Sequence, residues 1–250
     1  MSAILILGAT STVAADVARI YALRGAQLVL FARNKEQLET LARELIMLGA
    51  ATAQIYCADF NVIVEATEQL NVALRACEPF DTVLIAHGYL GDQQLSESDF
   101  TEALLQIQTN YLSVVAQLIV LGNYFERRKR GQLAVITSVA GDRGRPRNYT
   151  YGSAKGALSL YLQGLRSRLW PHVQVTAIKL GPVDTKMTKD HKKNRLFTSS
   201  QRAAVGIVRA IEQGTAEAYV PGYWYFIMRV VVALPEFIFQ KLKFLSARDS

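Results

Sequence analysis

Tyr151 and Lys155 stand four residues apart in the segment Tyr-Gly-Ser-Ala-Lys, inside a long stretch of helical apolar periodicity. Residues i and i+4 lie on one face of a helix, so we expect the Lys155 ammonium close to the Tyr151 phenol. A free tyrosine has a pKa of about 10, and a neighbouring cation favours the phenolate and lowers that pKa. The spacing therefore indicates a pair that exchanges protons near neutral pH.

Two further polar residues precede this pair in the chain. Ser138 ends the apolar run Leu-Ala-Val-Ile-Thr-Ser, which is typical of a buried parallel strand. Open α/β sheets place their chemistry at the carboxyl ends of such strands, so Ser138 is a candidate catalytic residue. Asn110 lies within a long helical pattern, where asparagine is mildly unfavourable, so its position indicates either solvent exposure or function.

The start of the chain has the pattern of a phosphate-binding turn. Residues 3–15 combine a short apolar strand, a tight turn and the first residues of a helix. This layout presents the free amide groups of a helix N-terminus to a pyrophosphate. The candidate cofactor-binding residues of the turn are Gly8, Thr10, Ser11, Thr12 and Val13.

Strand and helix patterns alternate along the whole chain. Strands are predicted at 3–8, 27–32, 52–57, 81–86, 132–138, 173–179 and 217–220. Helices are predicted at 13–24, 34–48, 61–76, 97–129 in two segments, 149–169 and 200–213. This alternation predicts an α/β fold, a single-domain, Rossmann-like, doubly wound parallel sheet of about seven strands with helices on both faces. The polar, basic segment 181–199 interrupts the pattern.

Composition sets the broad class. A chain of 250 residues, half of them hydrophobic, suits one domain with a sizeable core, so we expect a single domain over 1–250. Cys57 and Cys77 have no metal-like or redox-like spacing, so we expect two buried reduced thiols and no metal site. No signal-peptide pattern precedes the first strand, so the expected location is the cytoplasm.

These residues and elements together resemble the short-chain dehydrogenase/reductase family over essentially the whole chain. The resemblance implies a catalytic tetrad of Asn110, Ser138, Tyr151 and Lys155. It implies hydride transfer between a nicotinamide and a carbonyl carbon, with Tyr151 as general acid and Ser138 stabilising the carbonyl oxygen. Lys155 would hold the nicotinamide ribose, and Asn110 would order a water. A homodimer or homotetramer is the family expectation.

The phosphate turn departs from the pattern Thr-Gly-x-x-x-Gly-x-Gly of that family. Leu7, Thr12 and Ala14 replace three of its four residues, and only Gly8 is retained. Ala14 adds one methyl group at a helix–strand contact, which we expect to be tolerated. The Thr12 side chain must either point away from the phosphates or donate its hydroxyl to them.

Other positions indicate the cofactor. Arg33 follows the second strand without an acidic neighbour, and a basic residue there accepts the 2′-phosphate of NADP, so NADP is preferred over NAD. Asp59 and Phe60, after the third strand, match adenine-contacting positions. His87, in the turn Ile-Ala-His-Gly, is interpreted as structural. The remaining cofactor-binding residues implied by the resemblance are Ala86, Gly88, Tyr151, Lys155, Gly181, Val183 and Thr185.

A finer resemblance concerns the second half. The segment 140–148 and the tail motifs Pro-Gly-Tyr-Trp-Tyr-Phe-Ile-Met and Pro-Glu-Phe-Ile-Phe-Gln-Lys-Leu resemble the decaprenylphosphoryl-2-keto-ribose reductase group. This implies reduction of a keto-sugar linked to a polyprenyl phosphate. The candidate substrate residues are Arg143, Arg145 and Arg147, which would pair with the phosphodiester. The residues of the 181–199 lid that would reach lipid head groups are Lys186, Lys189, Lys192, Lys193 and Arg195.

Two other functions stay open at this point. A general carbonyl reductase would act on soluble ketones, acyl chains or steroids, and a non-catalytic relative would bind the nucleotide without turnover. A pI of about 9.4 also raises the question of nucleic acid. The basic groups flank the enzyme site rather than forming one stripe with base-stacking aromatic residues, so we expect no nucleic-acid partner.

The basic excess is confined to the last quarter of the chain. Residues 186–250 contain 11 Lys and Arg against 5 Asp and Glu, whereas residues 1–185 contain 17 against 16. The aromatic and aliphatic segment 223–245 is interrupted by Arg229 and Pro235, so it lacks the run of about 20 apolar residues that spans a bilayer. We expect it to lie on an anionic membrane surface, with a dimer interface or substrate-lid helices as the alternative.

Overall fold

Apolar runs rich in Val, Ile and Leu form the strands, as expected for a parallel sheet covered on both faces. The computed structural model describes residues 2–77, 79–189 and 193–242. The strands are β1 (Ala3–Leu7), β2 (Gln27–Ala32), β3 (Thr52–Cys57), β4 (Thr82–Ile85), β5 (Gly131–Ser138), β6 (Val173–Leu180), β7 (Val183–Asp184), β8 (Thr198–Ser199) and β9 (Glu217–Val220). Seven of them form one parallel sheet in the order β3-β2-β1-β4-β5-β6-β9, and β7 pairs with β8.

Helices connect these strands. They are α1 (Thr12–Ala22), α2 (Lys35–Met47), α3 (Ile63–Ala76), α4 (Gln93–Ser96), α5 (Phe100–Ile107), α6 (Ser113–Arg128), α7 (Tyr149–Leu169), α8 (Ser200–Glu212), α9 (Tyr223–Ala233) and α10 (Glu236–Phe239). A single π-helical turn, Gln108–Leu112, joins α5 to α6.

Two apolar layers, one on each face of the sheet, form the core. One layer packs α3, α6 and α7 against the sheet through residues such as Leu70, Leu118 and Leu158. The other packs α1, α2 and α8 through residues such as Val17 and Ile207. Because β1 lies between β2 and β4, the chain order reverses beside it, and a crevice opens at the carboxyl ends of the strands.

The structure confirms the predicted α/β fold and its seven-stranded parallel sheet. The helix predicted at 97–129 begins later, at Phe100, and the π-helical turn separates its two segments. The pair β7–β8 and the short α4 and α10 were not predicted, because elements of two to four residues carry too little periodicity. The C-terminal segment forms α9 and α10, with Trp224, Met228 and Val231 buried.

The two thiols do not share one environment. Cys57 ends β3, the edge strand of the sheet, and is exposed, so the expectation that both thiols are buried is wrong for this residue. An edge strand leaves part of its surface uncovered, which the apolar sequence around Cys57 does not reveal. Cys77 is half-buried, with its Sγ 2.8 Å from Gln54 Oε1.

Among the described residues, one helical run, Phe100–Arg128, is long and apolar enough to span a membrane by length and composition alone. Val114, Leu118 and Leu121 of this run are at most 1% exposed and belong to the core layer under α7. We therefore interpret the run as a core helix of the domain.

Candidate active site

Strand β5 and helix α7 bring three of the predicted catalytic residues to the crevice. Ser138 ends β5 and is buried, and its Oγ accepts a hydrogen bond from the Ala140 amide at 3.1 Å. The same hydroxyl faces the Leu180 carbonyl at a long 3.4 Å. Tyr151, in the first turn of α7, lies in hydrogen-bonding contact with the Ser138 side chain. The two hydroxyls therefore face one point at the edge of the sheet.

Lys155 lies one turn further along α7, as its spacing predicts. Its Nζ lies 5.9 Å from the centre of the Tyr151 ring and donates a hydrogen bond to the Ile136 carbonyl at 3.1 Å. The side chain is only 2% exposed, and this burial lowers the pKa of Lys155 to about 8. Its ammonium is thus held against β5 by the protein itself.

The pKa of Tyr151 differs in direction from the sequence expectation. Burial raises it to about 12, because a phenolate loses more hydration here than the hydrogen bond from Ser138 restores. The expected lowering by Lys155 is therefore wrong. The phenol consequently keeps its proton at neutral pH, which is the state that a proton donor requires.

Asn110, the fourth member of the predicted tetrad, lies in the π-helical turn and is fully buried. Its Nδ2 donates to the carbonyls of Tyr89 and Gln106 at 2.6 and 2.8 Å, and its Oδ1 accepts from the Tyr89 amide at 3.1 Å. A Cβ added to Gly88 would lie 3.0 Å from Asn110 Oδ1 and 3.4 Å from Lys155 Nζ. The structure thus brings Asn110 and Lys155 together around the position that a Gly88 side chain would occupy.

The phosphate turn needs one glycine. Gly8 has a φ of +83°, and a Cβ there would lie 2.6 Å from the His87 amide nitrogen. Ser11 caps α1 by accepting from the Ala14 amide at 3.3 Å, and Thr12 opens the helix with its side chain partly exposed. The Ala14 side chain is fully buried in the core, so its extra methyl group is accommodated. Thr10 is also partly exposed, and Val13 is buried.

His87 joins the turn to the helices behind it. Its Nε2 lies 2.9 Å from the Ser113 hydroxyl, and that hydroxyl donates to the Thr109 carbonyl at 2.9 Å. The ring stacks on Phe60 with centres 4.3 Å apart, and burial lowers the pKa of His87 to about 3. Its Nδ1 has no hydrogen-bond partner among the described residues. The imidazole is therefore neutral, in keeping with the structural role expected for it.

Of three residues predicted to bind the adenosine part of the cofactor, Arg33 and Asp59 lie together near the surface, whereas Phe60 is buried. Arg33 is largely exposed, and its Nη1 lies 3.9 Å from Asp59 Oδ2. The other oxygen of Asp59 accepts from the Asn61 amide at 3.0 Å. Phe60, in contrast, is 5% exposed and lies between Phe31 and His87. It supports the crevice from below, which differs from the cofactor contact expected of it.

The C-terminal helix α9 packs against the segment 181–185, which is predicted to contact the nicotinamide. A Cβ added to Gly181 would lie 2.1 Å from Nε1 of Trp224, so α9 packs directly on the backbone of this loop. The Gly181 amide donates to the Val220 carbonyl at 2.9 Å. Val183 is buried in β7, and Thr185 accepts at its carbonyl from the Thr188 hydroxyl at 3.3 Å. Ala86 is half-buried beside the crevice.

The residues present fit a nicotinamide dinucleotide. The Nδ1 of His87 is a buried polar atom without a hydrogen-bond partner in the part of the chain that the structure describes, and Gly8 and Gly88 keep the turns on either side of it free of side chains. The first helical amides beyond the Ser11 cap face the same crevice edge, as a pyrophosphate requires. Lys155 and Tyr151 lie at the end where the nicotinamide ring would lie.

The three arginines of the loop 142–148, called the arginine loop below, have different roles. Arg143 does not face the crevice: its Nη1 donates to the carbonyls of Val231 and Val232 at 2.9 and 3.2 Å, and its Nη2 pairs with Glu236 at 2.7 Å. It caps the end of α9, so the expected phosphate contact does not fit this residue. Its guanidinium instead binds backbone carbonyls and the Glu236 carboxylate of the C-terminal segment. Residue spacing alone does not predict these contacts.

Arg145 and Arg147 lie close enough for their charges to interact. Burial, followed by the charge of Arg147, lowers the pKa of Arg145 to about 10, and Asp142 only partly opposes this. The buried Nε of Arg145 has no hydrogen-bond partner among the described residues. Arg145 is therefore suited to an anion, which would supply an acceptor for this donor.

The segment 181–199, predicted to be a lid, begins and ends in a short pair of strands and carries exposed cationic side chains. The pair β7–β8 joins its two ends, and Lys193 lies 2.7 Å from Asp184. Lys192 lies outside the described residues. Lys186, Lys189 and Arg195 are exposed.

Two features of the site were missed at the level of sequence. Trp224 carried no signal beyond its residue type, although it contacts the Gly181 loop and belongs to a cluster with Val139, the neighbour of Ser138. Lys179 sits in the buried strand β6, with its Nζ 2.8 Å from Asp142 and 3.1 Å from Glu217. A lysine in a run of apolar strand residues is the signal that could have predicted this buried ion pair.

Comparisons with known proteins agree with this geometry. A family model described as short chain dehydrogenase matches residues 2–196. An uncharacterised oxidoreductase of Streptomyces coelicolor is 33% identical over 242 residues, which cover 96% of this chain and 95% of the relative. An uncharacterised oxidoreductase of Mycobacterium tuberculosis is 31% identical over 242 residues and 96% of both chains.

A solved structure shows the same fold. The short chain dehydrogenase from Burkholderia cenocepacia in complex with NADP has a TM-score of 0.81 and 19% identity, covering 96% of this chain and 97% of that one. The short-chain dehydrogenase from Sphingobium yanoikuyae in complex with NADPH has a TM-score of 0.80 at 19% identity, covering 94% and 97%.

Proposed function

Because the chain belongs to the short-chain dehydrogenase family, we propose that it uses NADPH to reduce a keto group on a sugar linked to a polyprenyl phosphate. The family and the tetrad support the oxidoreductase chemistry. The observation that carries the anionic substrate is Arg145, whose buried Nε makes no hydrogen bond within the described residues and which lies in the loop between Ser138 and Tyr151. The finer resemblance of segment 140–148 and of the tail supports the polyprenyl-linked sugar.

Each residue of the tetrad has a separate role in the proposed reduction. When bound, the nicotinamide supplies a hydride to the carbonyl carbon. The Tyr151 phenol, protonated at neutral pH, donates its proton to the carbonyl oxygen as negative charge develops there. The Ser138 hydroxyl turns from its long contact with Leu180 to donate to the same oxygen. Lys155 keeps a positive charge near the Tyr151 ring. Asn110 holds the backbone next to Gly88 by accepting a hydrogen bond from the Tyr89 amide.

The phosphate would lie against the arginine loop. Arg145 precedes Tyr151 by six residues, so the arginine loop leads directly into the helix that carries the phenol. A bound phosphodiester would accept hydrogen bonds that Arg145 Nε does not make within the described residues, and it would offset the repulsion from Arg147. The apolar chain would then leave the crevice toward α9.

The substrate proposal is tested with Arg145→Gln, which keeps the size of the side chain but removes its charge. We expect the kcat/KM for a polyprenyl-phosphate-linked keto-sugar to fall about 10- to 100-fold, because a charge-assisted hydrogen bond is lost. Turnover of a neutral soluble ketone should be unchanged. Arg202→Gln, at an exposed arginine of α8, is the matched control. Equal loss on both substrates, or turnover of soluble ketones alone, would favour a general carbonyl reductase.

The cofactor preference depends on Arg33. The exposed guanidinium lies 3.9 Å from Asp59 and can reach a 2′-phosphate without breaking a buried contact. We expect Arg33→Ala to weaken NADPH binding about 10-fold and to leave NADH binding unchanged. Titration of both nucleotides by cofactor fluorescence measures this. If the unsubstituted protein binds NADH as tightly as NADPH, the preference assigned to Arg33 is wrong.

A further inference from the structure

The outward side of α9 and α10 exposes large apolar side chains. Phe226, Val230 and Phe237 are 71%, 65% and 65% exposed. On α9 the first two are one turn apart, opposite the buried face formed by Trp224 and Met228. Exposed aromatic and aliphatic residues grouped in this way indicate a contact surface rather than ordinary scatter. The docking face is defined as Phe226, Arg229, Val230, Phe237 and Lys241.

The docking face is held in place from behind. Arg143 caps the end of α9, as described above, and its guanidinium lies 4.2 Å from the centre of the Phe239 ring. Phe239 is 3% exposed and packs in one cluster with Trp224 and Val231. These contacts fix the direction of both helices, so the apolar side chains on the outer side cannot turn into the core. Among the described residues these side chains stay exposed, so the face is free to take an occupant.

The charge on this face selects the occupant. Arg229 and Lys241 are exposed beside the apolar residues, whereas Glu236, the acidic residue of α10, is paired with Arg143. Residues 186–250 contain 11 Lys and Arg against 5 Asp and Glu. A second copy of this chain placed here by two-fold symmetry would bring like charges together. Aromatic residues with flanking cations suit the boundary of an anionic bilayer.

We propose that the docking face binds an anionic lipid bilayer and so holds the mouth of the crevice at the membrane surface. The inner side of α9 supports this arrangement, because Trp224 contacts Gly181 and the same helix packs near Val139, next to Ser138. The inference deepens the proposed function and rests on it for the purpose of docking, since a polyprenyl chain lies in the membrane. The binding itself is a separate property of α9 and α10.

Sedimentation with vesicles tests the proposal. The full chain should pellet with phosphatidylglycerol vesicles at low salt and pellet much less with phosphatidylcholine vesicles. Phe226→Ser with Val230→Ser should lower the partition coefficient at least about ten-fold, because the inserted apolar area is lost. Arg229→Gln with Lys241→Gln should lower it roughly five-fold for each charge, and this contribution should vanish in high salt. Removal of residues 223–250 is a poor test, because it also removes Trp224 from the Gly181 loop.

A matched control keeps the result specific. Val64→Ser with Phe100→Ser changes side chains of similar exposure, 68% and 75%, on α3 and α5, and should leave vesicle binding unchanged. The proposal is overturned if the unsubstituted protein does not pellet with phosphatidylglycerol, or if the Phe226 and Val230 variant pellets equally well. It is also overturned if that variant instead loses a dimer in sedimentation equilibrium, because the face would then bind a second copy.

The failure of the proposed function is distinguishable from the failure of docking. Reduction of a soluble ketone in detergent-free buffer should be the same for the Phe226 and Val230 variant as for the unsubstituted protein. Vesicle binding without turnover of any lipid-linked keto-sugar would contradict the substrate and leave the docking face in place. Turnover of that substrate in micelles without vesicle binding would contradict the docking face alone.

Discussion

The catalytic tetrad and the arginine loop lie side by side, yet their polar groups are satisfied in different ways. Asn110 makes three hydrogen bonds within the protein, and Lys155 donates to a strand carbonyl. In the arginine loop, Arg145 keeps a buried Nε without a partner among the described residues and lies beside a like charge. Asn110 and Lys155 thus find their partners within the protein, whereas Arg145 keeps a donor that the proposed phosphate would engage. Under the proposed function, the fold supplies the catalytic groups and the arginine loop selects the substrate.

The largest expected effect comes from removing the proton donor of the complete region. Tyr151→Phe should lower turnover at least about 100-fold, because it removes the phenolic proton that the carbonyl oxygen receives while keeping the ring. Nucleotide binding should stay nearly intact. Steady-state assays of ketone reduction measure turnover, and titration with NADPH measures nucleotide binding. Full turnover by this variant would remove the proposed acid and would break the contrast with the arginine loop.

A second experiment asks what the buried charge of Lys155 costs. Between pH 8 and pH 10.5 the unfolded chain keeps the Lys155 proton and the folded chain loses it, so stability rises with pH across this window. Lys155→Met lacks this dependence. The stability of the unsubstituted protein relative to Lys155→Met should therefore rise by about 2 kcal/mol between pH 7 and pH 9.5.

Urea unfolding of both proteins at the two pH values measures the difference. The raised pKa of Tyr151 acts above pH 10 in both proteins and in the opposite direction, so it does not enter the comparison. A pH-independent difference would show that Lys155 has the same pKa in the folded and the unfolded chain, so that burial does not lower it. Lys155→Met should also lose turnover, which would separate the needs of stability from those of catalysis.

A smaller effect tests the contact between Gly181 and Trp224 of α9. Gly181→Ala places a methyl group where Trp224 lies and should destabilise the protein by about 1–3 kcal/mol, because α9 must shift. The same shift should lower turnover. Gly164→Ala in α7 meets no atom within 4 Å and should be stabilising by about 1 kcal/mol, which makes it the matched control. Equal thermal stability of the two variants would show that the packing of α9 on Gly181 does not restrict the segment 181–185.

Sequence reasoning predicted the fold and the grouping of the catalytic residues well. The strand at 131–138 and the helix at 149–169 follow from long, unambiguous periodicity, and Ser138, Tyr151 and Lys155 meet because these elements adjoin. The role of Arg143 was not predictable, since it depends on carbonyl groups about 90 residues away. The pKa of Tyr151 depends on how deeply the packed domain buries it, and spacing does not contain that quantity.

The π-helical turn at Gln108–Leu112 has a consequence for the length of the chain. An α-helix advances about 100° for each residue, and a turn of this kind holds one residue more than a regular turn. Deleting one residue of the turn other than Asn110 would restore regular winding and shift the remaining residues of the turn around the helix axis. Asn110 would then leave the Tyr89 backbone, although every catalytic residue type would still be present. Spacing through this turn is therefore as necessary for the site as the identity of the asparagine.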